Sequence, residues 1–173
     1  MKSMPAGPKI PETIYAVVEI PKGGSNKYEY SEKLQAFVLD RALYGAVFYP
    51  TEYGFIPSTA AEDNDPLDVM VITSAPSFTG CIIESQVVAV LKLTDNGEND
   101  YKIIAVARND PRLGKIKNLK TLPVHFKKEV EDFWVSYARL QPGKKILIDG
   151  WEGKKEAQEI IKKAISKYEQ ENN

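Results

Sequence analysis

One cysteine and one histidine are all that this 173-residue chain offers to soft-metal chemistry. Cys81 has no partner for an internal disulfide, and its apolar setting, GCIIES, reads as a small core residue. That fits a reducing compartment. His125 reads as a helix-surface residue, so a zinc site built from Cys and His is disfavoured. No run approaches the roughly 18 apolar residues of a membrane span, and the N-terminus MKSMPAGPKIPE has no apolar core of a signal peptide. These absences describe a soluble cytoplasmic protein with no membrane partner. A dominant charge is missing too. The formal net charge is −1, from 23 basic and 24 acidic residues mixed along the chain, which argues against nucleic acid as a partner. Neither G-x-x-x-x-G-K nor G-x-G-x-x-G occurs, so any phosphate must be held by side chains.

What the chain has is 43% hydrophobic residues, enough for one good core, and residues 1–173 are expected to form a single domain. Short apolar runs punctuated by Gly, Pro, Asn and Asp predict antiparallel strands at 14–20, 26–30, 35–43, 68–73, 81–93 and 101–107. Five or six such strands suggest a small closed barrel, because closure removes exposed edges. After Thr121 the period changes. Phe126, Val130, Phe133, Trp134, Tyr137 and Leu140 recur at helical spacing, with Thr121 as the expected N-cap ahead of Pro123. A short strand, KKILIDGW, precedes a second helix marked by Ala157, Ile160, Ile161, Ala164, Ile165 and Tyr168. The fold class is therefore α+β, a barrel with two flanking helices in its C-terminal part.

The segment EDNDPLDVMVI places Glu62, Asp63, Asp65 and Asp68 just before an apolar strand. Crowded carboxylates repel, so they must share a proton or be supplied with cations. A helix-loop-helix calcium loop requires Gly at its sixth position and Glu at its twelfth. Counting from Asp63 these are Asp68 and Ser74, and from Asp95 they are Asp100 and Val106, so both fail. Clustered carboxylates without such a cage suit Mg²⁺, which retains waters and shares its shell with phosphates.

Strand alternation gathers more charge. Lys27 and Glu29 share one face of the second strand, Asp100 and Lys102 share one face of the strand after TDNGEND, and Asp95 stands near Asp100 across that turn. Glu19 shares one face of the first strand with Tyr15 and Val17. Singly, each of these reads as a solvated face or a polar turn.

Together they resemble the soluble family I inorganic pyrophosphatases. DNDPLDV, Asp63 to Val69, matches the family signature D-[SGDN]-D-[PE]-[LIVMF]-D-[LIVMGAC]. VEIP with Glu19, KYEY with Lys27 and Glu29, DRALYG with Arg41, FYPTEYGFIP with Tyr49 and Tyr53, and LTDNGENDYKIIAV with Asp95, Asp100 and Lys102 follow in the family's order. LQPGKKILIDGWE is similar to its C-terminal strand. The resemblance implies a five-stranded OB-like antiparallel barrel, a cytoplasmic homohexamer, and Mg²⁺-dependent hydrolysis of pyrophosphate to two phosphates. It implies Asp63, Asp68, Asp95 and Asp100 as metal ligands and Asp65 as general base. Lys27, Arg41, Tyr53, Lys102 and Tyr137 would bind phosphate, with Glu19, Glu29 and Tyr49 in support. Three positions depart from the family. Tyr137-Ala138 stands where Tyr-Lys is usual, removing a cation; Glu52 is expected to add negative charge near the site; and Asn64 replaces the common Gly. A non-catalytic OB-like binding module and a catalytically weakened paralogue are the alternative readings.

Overall fold

The computed structural model describes Met1 and residues 4–172. Its strands are β1 (Thr13–Ile20), β2 (Asn26–Ser31), β3 (Ala36–Ala42), β4 (Glu52–Phe55), β5 (Asp68–Ile72), β6 (Ile82–Asp95), β7 (Glu98–Ala107) and β8 (Ile146–Gly153). Two helices, α1 (Val124–Arg139) and α2 (Lys154–Asn172), flank β8 in the chain. Pairing runs β1-β4-β5-β7-β6 and returns from β6 to β1, so five strands close into a ring. The length of β6 makes closure possible. Its first residues, from Ile82 to Gln86, pair with β1, and its last, from Ala89 to Asp95, pair with β8. β2 and β3 form a separate ribbon.

Several expectations are corrected here. β5 and β7 run parallel, so the ring is not wholly antiparallel. β4 has no alternation to reveal it, because all four of its residues are buried. Thr121 does not cap α1. It closes a 3₁₀ turn over Leu119–Thr121, where Asn118 Oδ1 accepts from the Lys120 amide at 3.0 Å, and α1 starts after Pro123 instead. Leu140 is exposed rather than core, and Cys81 is only partly buried, because it lies in the loop before β6.

Each helix roofs its own core. Val130, Phe133, Trp134 and Tyr137 of α1 join Tyr49, Tyr53, Leu91, Leu93 and Ile104, whereas Ala157, Ile161 and Ala164 of α2 cover Ile14, Val69, Val87 and Ile103. Burying such side chains is worth about 1.5–3 kcal/mol each, which fixes both helices to the ring. Two backbone details then set side-chain aim. A bulge in β1 between Val18 and Ile20 lets Gly54 approach so closely that a Cβ there would lie 1.9 Å from the Val17 carbonyl oxygen. The β6–β7 turn is Asn96-Gly97, with φ of 49° and 95°, the left-handed pair that a two-residue hairpin needs.

Candidate active site

The open end of the ring carries a cavity of about 420 Å³. It is lined by the carboxylates of Glu19, Glu29, Asp63, Asp65, Asp68, Asp95, Glu98 and Asp100, facing the ammonium groups of Lys27, Lys102 and Lys144. Tyr49, Tyr53, Trp134 and Tyr137 form its wall. Every residue expected to act as base, metal ligand, phosphate binder or support lines this cavity except Arg41, which is not in its wall and donates to Tyr137 Oη at 2.6 Å.

Asp63 and Asp65 belong to a tight turn. Asn64 adopts φ 70°, the Asp65 amide donates to Asp63 Oδ1 at 3.0 Å, and the Ala61 amide donates to the Asp65 carbonyl at 2.7 Å. The turn needs a residue that tolerates the left-handed region, and Asn does. Asp68 opens β5 beneath it. Its Oδ2 accepts from Tyr53 Oη at 2.6 Å and from Lys102 Nζ, and the same ammonium donates to Asp100 Oδ1 at 2.5 Å and to Tyr53 Oη at 3.2 Å.

Lys102 is 2% exposed, with its Nζ 4.9 Å from the Trp134 ring centre. Burial alone would depress its pKa, but Asp68 and Asp100 overcome that and hold it above the ordinary lysine value. Asp100 is raised, by burial first and by the nearby Asp68 and Asp95 charges, against the pull of Lys102. Burial also pushes Glu19 up to about 7, against the 2.9 Å hydrogen bond it accepts from the Tyr30 amide. Tyr53 is raised well above a free tyrosine by burial and the flanking carboxylates, so it remains a neutral donor.

Among the described residues, no three His, Cys, Asp or Glu side chains are already set around a metal position. Ammonium groups stand on the deeper carboxylates: Lys102 on Asp68 and Asp100, and Lys144 on Asp95. Asp95 Oδ1 is buried without a hydrogen-bond partner. An all-oxygen set with an open acceptor suits a hard divalent cation, so the residues fit one.

Sequence reading missed Trp134 as a wall of the site and Lys144 altogether. It also misplaced Glu52. Side chains of neighbouring strand residues point to opposite faces, so with Tyr53 in the cavity Glu52 faces away. It is 0% exposed and accepts from Thr73 Oγ1 at 3.1 Å, from the Ser77 amide at 2.9 Å and Oγ at 2.7 Å, and from the Lys22 amide at 3.3 Å. Its charge is spent on tying the 73–77 loop to β4.

The family profile for inorganic pyrophosphatase matches residues 16–169. The chain belongs to the inorganic pyrophosphatase family. It is 44% identical over 169 residues to the inorganic pyrophosphatase of Haloferax volcanii, an alignment that spans 98% of this chain and 96% of that one. The crystal structure of the inorganic pyrophosphatase from Thermus thermophilus superposes with a TM-score of 0.95 at 42% identity, covering 97% of this chain and 98% of the other. That of Coxiella burnetii gives 0.90 at 33% identity, covering 95% and 99%. The closed ring of strands is thus the OB-like fold of this family, and family membership carries a general requirement for divalent metal. No helix among the described residues is long and apolar enough to cross a membrane.

Proposed function

We propose that this chain, as a single domain, hydrolyses pyrophosphate to two phosphates in the cytoplasm with Mg²⁺ as its metal. The observation that carries the reading is the convergence of Asp63, Asp65, Asp68, Asp95 and Asp100 on one cavity together with Lys27 and Lys102. Asp63, Asp68, Asp95 and Asp100 would hold Mg²⁺, with Asp100 shared between positions. When bound, the metal neutralises the substrate's charge and makes a water easier to deprotonate.

The chain's own groups do the rest. Asp65, at the exposed mouth of the cavity, takes the proton of the attacking water. As the water oxygen bonds to one phosphorus, the bridging P–O bond breaks and the second phosphate leaves. Lys27 and Lys102 neutralise phosphate oxygens, Tyr53 and Tyr137 donate neutral hydrogen bonds, and Arg41, outside the cavity wall, acts on phosphate through the Tyr137 hydroxyl it holds. Glu19, Glu29 and Tyr49 orient waters and neighbours around these groups. The exposed Leu39, Phe48 and Phe78 give the chain apolar surface for a homohexamer. The test is phosphate release from pyrophosphate by the pure protein with Mg²⁺ and with chelator. Release only with metal is expected, and no turnover with metal would overturn the assignment.

A further inference from the structure

Lys144 sits in the loop between α1 and β8, and that loop is fastened to the β6–β7 turn by two reciprocal bonds. The Asn96 amide donates to the Lys145 carbonyl at 2.9 Å, and the Lys145 amide donates to Asn96 Oδ1 at 2.8 Å. Gly143, at φ 74°, lets the chain turn into this clasp. The clasp leaves residue 144 beside residue 95, so that Lys144 Nζ rests on Asp95 Oδ2 at the cavity wall. Both side chains are about one-fifth exposed, at 19% and 22%.

The ion pair is incomplete, and the cavity has no cation from α1. Asp95 Oδ1 is buried and unpartnered, so the ammonium satisfies only half of the carboxylate. And α1 brings no cation of its own to the cavity, because Ala138 is packed in the core at 6% exposure and Arg139 turns outward to Ser136 Oγ at 3.0 Å. A divalent cation on Asp95 would complete the carboxylate and repel the ammonium beside it. Asp68 and Asp100, the other deep carboxylates, already share Lys102. A displaced Lys144 stays at the cavity wall, where the phosphate oxygens of a bound substrate are the most highly charged anion its flexible stem can meet.

We propose that Lys144 is an exchangeable cation: it occupies Asp95 in the metal-free protein and, once a divalent metal takes that carboxylate, turns to a phosphate oxygen of the substrate. The proposal rests on the pyrophosphatase reading above. It predicts effects of opposite sign on metal and on phosphate, which a merely structural lysine would not produce.

Calorimetric titration of the full chain with Lys144→Met, which keeps the stem and removes the charge, reads both. Without phosphate, Mg²⁺ should bind about 3- to 10-fold more tightly than to the unsubstituted protein, the worth of a partly exposed ion pair no longer opposing it. At saturating Mg²⁺, inorganic phosphate should bind about 10-fold more weakly, the scale of one charge-assisted hydrogen bond. Lys144→Gln provides a second variant, and melting curves of both show that they fold. Unchanged or weaker Mg²⁺ binding overturns the competition, and unchanged phosphate binding overturns the handover. The unsubstituted protein separates the two readings: turnover without the split in the variants refutes only the role of Lys144, whereas no turnover refutes the pyrophosphatase reading itself.

Discussion

Replacing Lys102 by Met removes a buried positive charge from between two carboxylates while keeping most of the packing against Trp134. At 2.5 Å and an effective dielectric of about 20, the attraction of Lys102 for Asp100 is about 7 kcal/mol before desolvation. Burying the ammonium cancels several kcal/mol of that. Asp68 and Asp100 keep about a quarter of their side-chain surface, 28% and 26%, so water relieves part of their exposed charge once Lys102 is gone. The net loss should be about 3 kcal/mol at neutral pH, the low end of the 3–5 kcal/mol of a fully buried pair. For a chain of this size that lowers Tm by roughly 6–12 °C. The sign with pH also follows. A lysine with raised pKa contributes fully below its unfolded value and loses its contribution only as pH climbs through the folded one, so at pH 7 the whole effect is present. The discriminating condition is metal. With Asp68 and Asp100 as the proposed ligands, Mg²⁺ would supply the missing positive charge to the same carboxylates, so urea melts at fixed protein concentration should show a large gap between Lys102→Met and the parent in chelator and a gap at least halved in saturating Mg²⁺. A variant as stable as its parent in chelator, or a gap indifferent to metal, would refute the idea that ammonium and metal are alternative counterions of one carboxylate set.

Asp65→Asn keeps size and cannot accept a proton, so turnover should fall about 10²-fold or more with Mg²⁺ binding nearly unchanged; equal losses by kinetics and calorimetry would make Asp65 a metal ligand instead. Glu19, at about 7 folded against 4.5 unfolded, retains a proton that the unfolded chain has lost between those values. Metal-free stability should therefore decline as pH rises from 4.5 to 7, by an amount of order 3 kcal/mol, and Glu19→Gln should flatten the profile in urea melts, a slope that persists in the variant counting against the assignment. Glu52→Gln puts an amide among four donors that want an acceptor, so it should cost about 2–4 kcal/mol of stability while leaving KM for magnesium pyrophosphate unchanged; a raised KM would place Glu52 back at the site.

The site was legible in the sequence wherever its geometry is local. Alternation alone puts Asp100 beside Lys102 and Lys27 beside Glu29, and the 2.5 Å contacts within both pairs are the direct consequence of a period of two. Asn-Gly between Asp95 and Asp100 states its own turn. Legibility ended where position depends on closure. β4 is buried on both faces, so TEYGFIP shows no alternation, and without β4 there was no parity to reveal that Glu52 must face opposite to Tyr53. The parallel pairing of β5 with β7 is equally silent, since it follows from the order in which the ring closes and leaves no turn between the two strands to announce it.

Lys144 is the sharpest instance of this limit. It lies seven residues beyond Tyr137, past the end of α1, where helical phase no longer carries information, and its neighbour Asp95 is 49 residues away. What brings them together is the Asn96–Lys145 clasp, one bond between backbones and one from the Lys145 amide to the Asn96 side chain, joining two segments that no spacing in the sequence connects. The clasp thus gives the cavity a cation that does not come from α1. That is why Ala138 on α1 does not leave the cavity short of positive charge, and why the substitution to examine is at Lys144 rather than at Arg139, whose guanidinium faces Ser136 on the outer surface.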